Sequence, residues 1–246
     1  MRRSHLLFAS LGLLVLWQVL AWLVNQPILP PPLAVLIEFC REMPGDLGVN
    51  FLASLWRVLA STTLSILLAV PIGLGLGQSK RLEQIFSPVI YLVYPVPKIV
   101  FAPVVMLFLG INDLSKIVII FLILFFQILV LVRDQAASIR QELIYSVRSL
   151  GAGRRALFLY VYMPASLPAI LTALRQSIGT AVAALYVVEL IATQHGLGYY
   201  IYINGSTLFD YPKMYAGILA MSLLGLGLYF TTDGLHRRLC PWQFVS

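Results

Sequence analysis

The chain has 246 residues, of which 60% are hydrophobic and 11% charged, with a mean hydropathy of +0.89. Soluble domains carry about 25% charged residues, and no single core in a chain this short hides so much apolar surface, so a soluble enzyme is excluded. The apolar residues fall in uninterrupted runs, which argues for an all-α polytopic membrane protein over a transmembrane barrel, whose strands alternate, and over disorder, which needs low hydrophobicity.

The chain opens on MRRSHLLFASLGLLVLWQVLAW, a basic start and an apolar run like a signal peptide. It lacks a small-x-small cleavage site and its run is too long for such a peptide, so an uncleaved first span over residues 6–24 is expected. Pro27, Pro30, Pro31 and Pro32 follow, and then Leu33, Leu36, Ile37 and Cys40 recur at helical spacing. That pattern predicts a short amphipathic helix over 33–43 on the outer surface. Charge-free runs long enough for a ~30 Å hydrocarbon core continue over 58–77, 117–132 and 214–232. The run 85–110 contains Lys98 and Pro88, Pro95, Pro97 and Pro103, so it is expected to span without being straight. The run 176–193 contains Glu189. Six spans in one membrane domain, 1–246, are thus expected.

With the N-terminus inside, twelve Lys and Arg residues fall in the inner segments (Arg2, Arg3, Lys80, Arg81, Arg133, Arg140, Arg148, Arg154, Arg155, Arg175, Arg237 and Arg238) and four in the outer ones (Arg41, Arg57, Lys116 and Lys213). This satisfies the positive-inside rule with both termini inside, so the net charge of +7 is mostly a topology signal and not a nucleic-acid footprint. Cys40 and Cys240 then lie on opposite sides of the membrane and do not pair. His5, His195 and His236 are scattered, and no C-x-x-C occurs, so no metal or redox site is expected.

The inner segment 134–175 is far longer than a helix connection needs. A helix-forming stretch up to Leu150 meets Gly151 and Gly153, a short basic and aromatic helix follows, and Pro164 and Pro168 are expected to end it before the fifth span. The row Leu157, Phe158, Val161 is expected to be exposed unless something covers it. Helix, glycine break, helix, proline is a shape suited to docking on a partner. No G-x-x-x-x-G-K-[ST] phosphate loop occurs in the chain, so the energy for any work must come from elsewhere.

These residues resemble the permease subunits of bacterial ABC importers, which share the inner motif E-A-A-x3-G-x9-I-x-L-P. Gly151 takes the glycine and Val161, Tyr162, Met163 and Pro164 the I-x-L-P, while Tyr145, Ser146 and Val147 stand at E-A-A and Glu142 lies one turn earlier. Segments 54–77, 94–116, 148–175 and 187–201 look like the branch handling nitrate, taurine, aliphatic sulfonates, bicarbonate and vitamin precursors. The resemblance implies a type I importer fold with a coupling-helix loop, and a permease that is not itself an enzyme. It also implies a second permease copy or a related permease, two ATPase subunits inside holding ATP and Mg, a solute-binding protein outside, and a bacterial inner membrane. Cofactors in this chain are not implied.

Arg148, Ser149, Gly151, Ala152, Arg154, Arg155, Val161, Met163 and Pro164 are therefore the candidate ATPase-coupling residues. Ionisable groups within spans are costly unless they face protein or water, which makes Glu189 and Lys98 pathway candidates beside a purely structural reading. Each lies thirteen residues into its span, so the two are expected at similar depth, facing the pathway. Tyr94, Pro95, Pro97 and Tyr186 join them as pathway candidates. Gly73 and Gly77 form a G-x-x-x-G that reads as close helix packing. Two rival classes remain: a channel or secondary transporter needing no soluble partner, and an intramembrane enzyme.

Overall fold

The computed structural model describes residues 3–191 and 193–243, with side chains from Phe8 onward. Arg2 and the side chain of Arg3, counted above for orientation, lie outside the described residues. Among these residues the secondary structure is helical, without a strand. In chain order the helices are α1 (Arg3–Val24), α2 (Pro32–Glu42), α3 (Asp46–Gln78), α4 (Lys80–Val93), α5 (Ala102–Leu109), α6 (Asp113–Ala137), α7 (Gln141–Ser149), α8 (Arg154–Leu157), α9 (Met163–Leu190), α10 (Leu197–Tyr202) and α11 (Tyr211–Leu239).

By length and composition α3, α6, the continuous helix Arg154–Leu190 and α11 can cross a membrane, and the bent pair Lys80–Val93 plus Lys98–Leu109 makes a fifth candidate. The apolar part of α1, Phe8–Val24, is shorter than these. Several expectations are corrected. The helix that carries the second run begins at Asp46, twelve residues ahead of residue 58, so Arg57 sits inside α3 and is buried. Lys116 is buried in the first turn of α6. The third run breaks by 77° at Pro95 and Pro97, as its prolines require. Pro164 and Pro168 do not end a helix: the helix runs through both. A π turn over Phe158–Tyr162 absorbs the first proline, because the Met163 amide reaches back five residues to the Phe158 carbonyl and the ladder shifts ahead of the missing donor.

The chain divides into two compact units. One comprises residues 1–55 and 189–224. Within it the rings of Trp17 and Tyr215 stack at 5.9 Å, Lys213 pairs with Glu42 at 3.0 Å, and Gly217 sits where any Cβ would meet the Tyr200 and Ile201 side chains within 3 Å. The other comprises 56–188 and 225–246. Its core includes Ala102, Met106, Ile119 and Val188, which join α5, α6 and α9. Gly73 and Gly77 bring α3 against α6: a Cβ on Gly73 would lie 3.0 Å from Val132, and one on Gly77 2.6 Å from the Ala136 Cβ. The G-x-x-x-G is thus spent on close packing, as expected.

Candidate functional site

The segment between α6 and α9 is folded. Ile144 of α7 is buried with Leu157, Val161 and Tyr162, and Ile139, Val147 and Ala152 pack around them. Leu157 and Val161 are therefore covered by the chain's own α7, with Val161 pointing inward, while Phe158 of the same row is half-buried. α7 ends at Gly151, whose φ of +83° places it in the left-handed region, with its amide donating to the Arg148 carbonyl at 2.9 Å. That is a glycine-terminated helix end, and the reversal lets α7 fold back onto α8. Gly153, the other expected breaker, is extended at φ −76°, ψ 178° and caps α8.

What this arrangement leaves outside is a different apolar set. Leu150 is 86% exposed, Tyr160 77% and Tyr145 61%. Arg140, Arg148, Arg154 and Arg155 of the same segment are exposed too, with Glu142 the acidic residue of α7. Ser149 is exposed and its hydroxyl donates to the Ser146 carbonyl at 2.8 Å, while Met163 and Pro164 are exposed at the start of α9. Tyr145, which stands at the first position of the motif, and Leu150 were not among the coupling candidates; the signal that finds them is their position off the Ile144–Val147 face of a one-sided helix.

At the 77° elbow the structure brings Tyr94, Pro95, Pro97 and Lys98 together. The Lys98 ammonium donates to the Val93 carbonyl at 2.7 Å and to that of Tyr94, and lies 4.8 Å from the centre of the Phe126 ring and 5.5 Å from that of Tyr94. Pro97 lacks the amide that would serve the Val93 carbonyl in an unbroken helix, and that carbonyl accepts instead from the Val96 amide at 3.2 Å and from the Lys98 ammonium. Tyr94 and Pro95 line a cavity of about 500 Å³ with Tyr91 and Arg133. Tyr186 is half-buried on α9.

Glu189, at the end of α9, is fully buried. Ser54 Oγ donates to its two oxygens at 2.8 and 2.9 Å, and the Gly198 amide donates at 2.8 Å. Ser54 Oγ in turn accepts from the Leu197 amide at 2.8 Å, and Asn50 Oδ1 accepts from the Gly196 amide at 2.6 Å. Three successive amides that open α10 are thereby satisfied by side chains of α3 and by Glu189, a charge-assisted arrangement at a helix start. Tyr200, one turn on, is buried; burial first, and then the carboxylates of Glu42, Glu38, Asp210 and Asp46, push its hydroxyl above the usual range, so it stays neutral.

Sequence reading missed the polar row of α3. Asn50, Ser54, Arg57, Ser61 and Ser65 are all buried. Arg57 donates through Nε and Nη2 to Asp113 Oδ1 at 2.9 and 2.6 Å, and Ser65 Oγ reaches the Phe121 carbonyl of α6 at 3.3 Å. The spacing of four, three, four and four residues along one helix face is legible in the sequence, but it hides beneath the hydropathy of its neighbours.

Residues 61–243 match the family model described as binding-protein-dependent transport system inner membrane component. Taurine transport system permease protein TauC of Escherichia coli K12 is 32% identical over 239 residues, covering 94% of this chain and 86% of that protein. Formylaminopyrimidine transport permease protein ThiX of Halalkalibacterium halodurans is 30% identical, covering 95% and 93%. Riboflavin transport system permease protein RibX of Chloroflexus aurantiacus is 33% identical, covering 94% and 87%. Among solved structures, a chain of the inward-facing MetNI methionine ABC transporter shares the fold at a TM-score of 0.68 and 18% identity, over 79% of this chain and 96% of that one.

Proposed function

This chain belongs to the family of binding-protein-dependent transport system inner membrane components, and from that premise we propose that it is the translocation subunit of an ATP-driven importer. Its cargo is a small anionic or zwitterionic solute, or a vitamin precursor, delivered by an external binding protein. The chain itself is a permease subunit without catalytic machinery; ATP and Mg belong to a separate ATPase dimer, and two copies of this chain enclose the path. In this reading α1 completes six spans, both termini lie inside, and the α6–α9 segment docks on the ATPase. The taurine, formylaminopyrimidine and riboflavin systems differ widely in cargo, so relatedness does not select one solute.

One observation carries the coupling role. The α6–α9 segment is a preformed two-helix unit that has buried Ile144, Leu157 and Val161 against one another and still presents Tyr145 and Leu150, with four exposed arginines in the same segment. A rigid unit of this kind transmits displacement to α9, with which α8 is continuous. Lys98 and Glu189 are proposed to support the path, the first by holding the elbow and the second by holding the start of α10.

The test is co-reconstitution of the chain with its ATPase and binding protein in vesicles, with a photo-crosslinking residue at 145, 150 or 161. Adducts with the ATPase from 145 and 150, but not from buried 161, together with ATP-dependent uptake, are the expected result. ATP-independent flux through the chain alone would restore the channel or secondary-transporter reading. Uptake intact with no ATPase adduct at either exposed position would remove the docking role.

A further inference from the structure

α2 lies before the residues matched by the family model, and it has a face that the fold leaves uncovered. Pro32 and Val35 are buried in their unit, Phe39 is half-buried, and Glu42 is tied to Lys213. On the opposite side Leu33 is 67% exposed, Ile37 60% and Leu36 45%, and Cys40 is exposed. At 3.6 residues per turn these four side chains share about 100° of the circumference and run about 10 Å along the axis. No charged residue falls within that arc; Arg41 flanks it.

The chain's connectivity says what covers this stripe. α2 follows the apolar helix α1 after residues 25–31 and precedes α3, itself long and apolar enough to cross a membrane, after residues 43–45. A three-residue link holds the end of α2 within about 10 Å of the point where α3 begins. α2 is therefore kept on the side of the membrane where α1 ends and α3 begins, within reach of the bilayer surface through the seven residues 25–31. Trp22 at the end of α1, 72% exposed, is the residue type that sits at headgroup level. The stripe amounts to a few hundred Å², well below the ~800 Å² per partner of a stable protein interface. A lipid surface needs no such area, because it covers any apolar side chain lying at its depth.

We propose that the Leu33–Leu36–Ile37–Cys40 face of α2 lies in the acyl–headgroup boundary of the bilayer, making α2 an interfacial anchor with Arg41 reaching to the lipid headgroups. The anchor holds the start of α3 at a set depth, and with it Asn50 and Ser54.

The native Cys40 is the probe. Cys240 is buried, so a nitroxide reagent goes to Cys40 in the unmutated full-length chain, and a Cys40→Ser protein serves as the background control. In vesicles of phosphatidylethanolamine and phosphatidylglycerol, collision rates with oxygen, which partitions into lipid, are compared with those of a water-soluble nickel chelate. The expected ratio exceeds that of the same nitroxide on a water-facing site such as Glu142→Cys by about threefold or more, and Ile37→Lys moves it toward the aqueous value. A ratio equal to the aqueous site overturns the proposal. So does spin–spin broadening at Cys40 that vanishes on dilution with unlabelled chain, since a second copy would then occupy the stripe.

Discussion

Ser54 is the residue on which the start of α10 converges, since its hydroxyl accepts from the Leu197 amide while donating to both oxygens of Glu189. Removing it leaves a buried amide and a buried carboxylate each short of a partner, which costs about 1–3 kcal/mol. Ser54→Ala is expected to lower the thermal midpoint and to speed amide hydrogen exchange at Leu197 and Gly198; unchanged exchange at these two amides would show that the hydroxyl is dispensable. The cysteines offer a second test at this scale. Topology alone predicts that Cys240 reacts once the membrane is opened, but its side chain is fully buried and burial pushes the thiol above its usual range. A maleimide at neutral pH is therefore expected to modify Cys40 alone, with and without permeabilisation. Rapid modification of Cys240 in the folded protein would contradict the structure.

At the scale of elements, the α3–α6 contact separates two glycines that look alike in sequence. A Cβ on Gly77 meets the Arg133 carbonyl at 2.5 Å and the Ala136 Cβ at 2.6 Å, whereas one on Gly75 meets nothing within 4 Å. Backbone and a Cβ cannot swing aside as a long side chain can, so Gly77→Ala must push the helices apart at a cost of about 1–3 kcal/mol. Gly75→Ala is expected to be neutral or to stabilise by up to about 1 kcal/mol, because alanine is the better helix former. Thermal unfolding of the two variants in the same detergent decides the matter; equal midpoints would rule out the close crossing. The elbow between α4 and α5 shows the other way an element is set. Its prolines were legible in the sequence, but that Lys98 folds back onto the Val93 and Tyr94 carbonyls was not, because a lysine amid prolines reads equally well as a pathway cation.

For the whole molecule the central question is how movement in the α6–α9 segment reaches the spans. Gly151 holds the left-handed turn that folds α7 onto α8, and nothing crowds the position, so a side chain there is opposed by backbone conformation alone. A leucine at that φ costs about 1–2 kcal/mol and favours opening of the α7–α8 unit. Gly151→Leu is expected to leave the membrane helices intact by circular dichroism while reducing ATP-driven uptake at least tenfold, with ATP hydrolysis no longer stimulated by the loaded binding protein; Gly151→Asn, which tolerates this conformation, is expected to retain most of the uptake. Wild-type uptake by the leucine variant would separate the turn from coupling.

Much of this molecule follows from local information. Hydropathy over about 20 residues marks the long helices, prolines mark the elbow, and glycine at 151 marks the turn, because each depends only on neighbours along the chain. The family resemblance was legible for the same reason, being carried by contiguous motifs. Which face of each helix is used was decided elsewhere. Val161 went inside because Ile144, seventeen residues earlier, covers it, and Tyr145 and Leu150 were thereby left outside. Arg57 is held in α3 by Asp113, fifty-six residues away, and Glu189 by Ser54, one hundred and thirty-five residues away. A buried charge is tolerated only when a partner arrives from a distant element, and such partners exist only once the helices have packed.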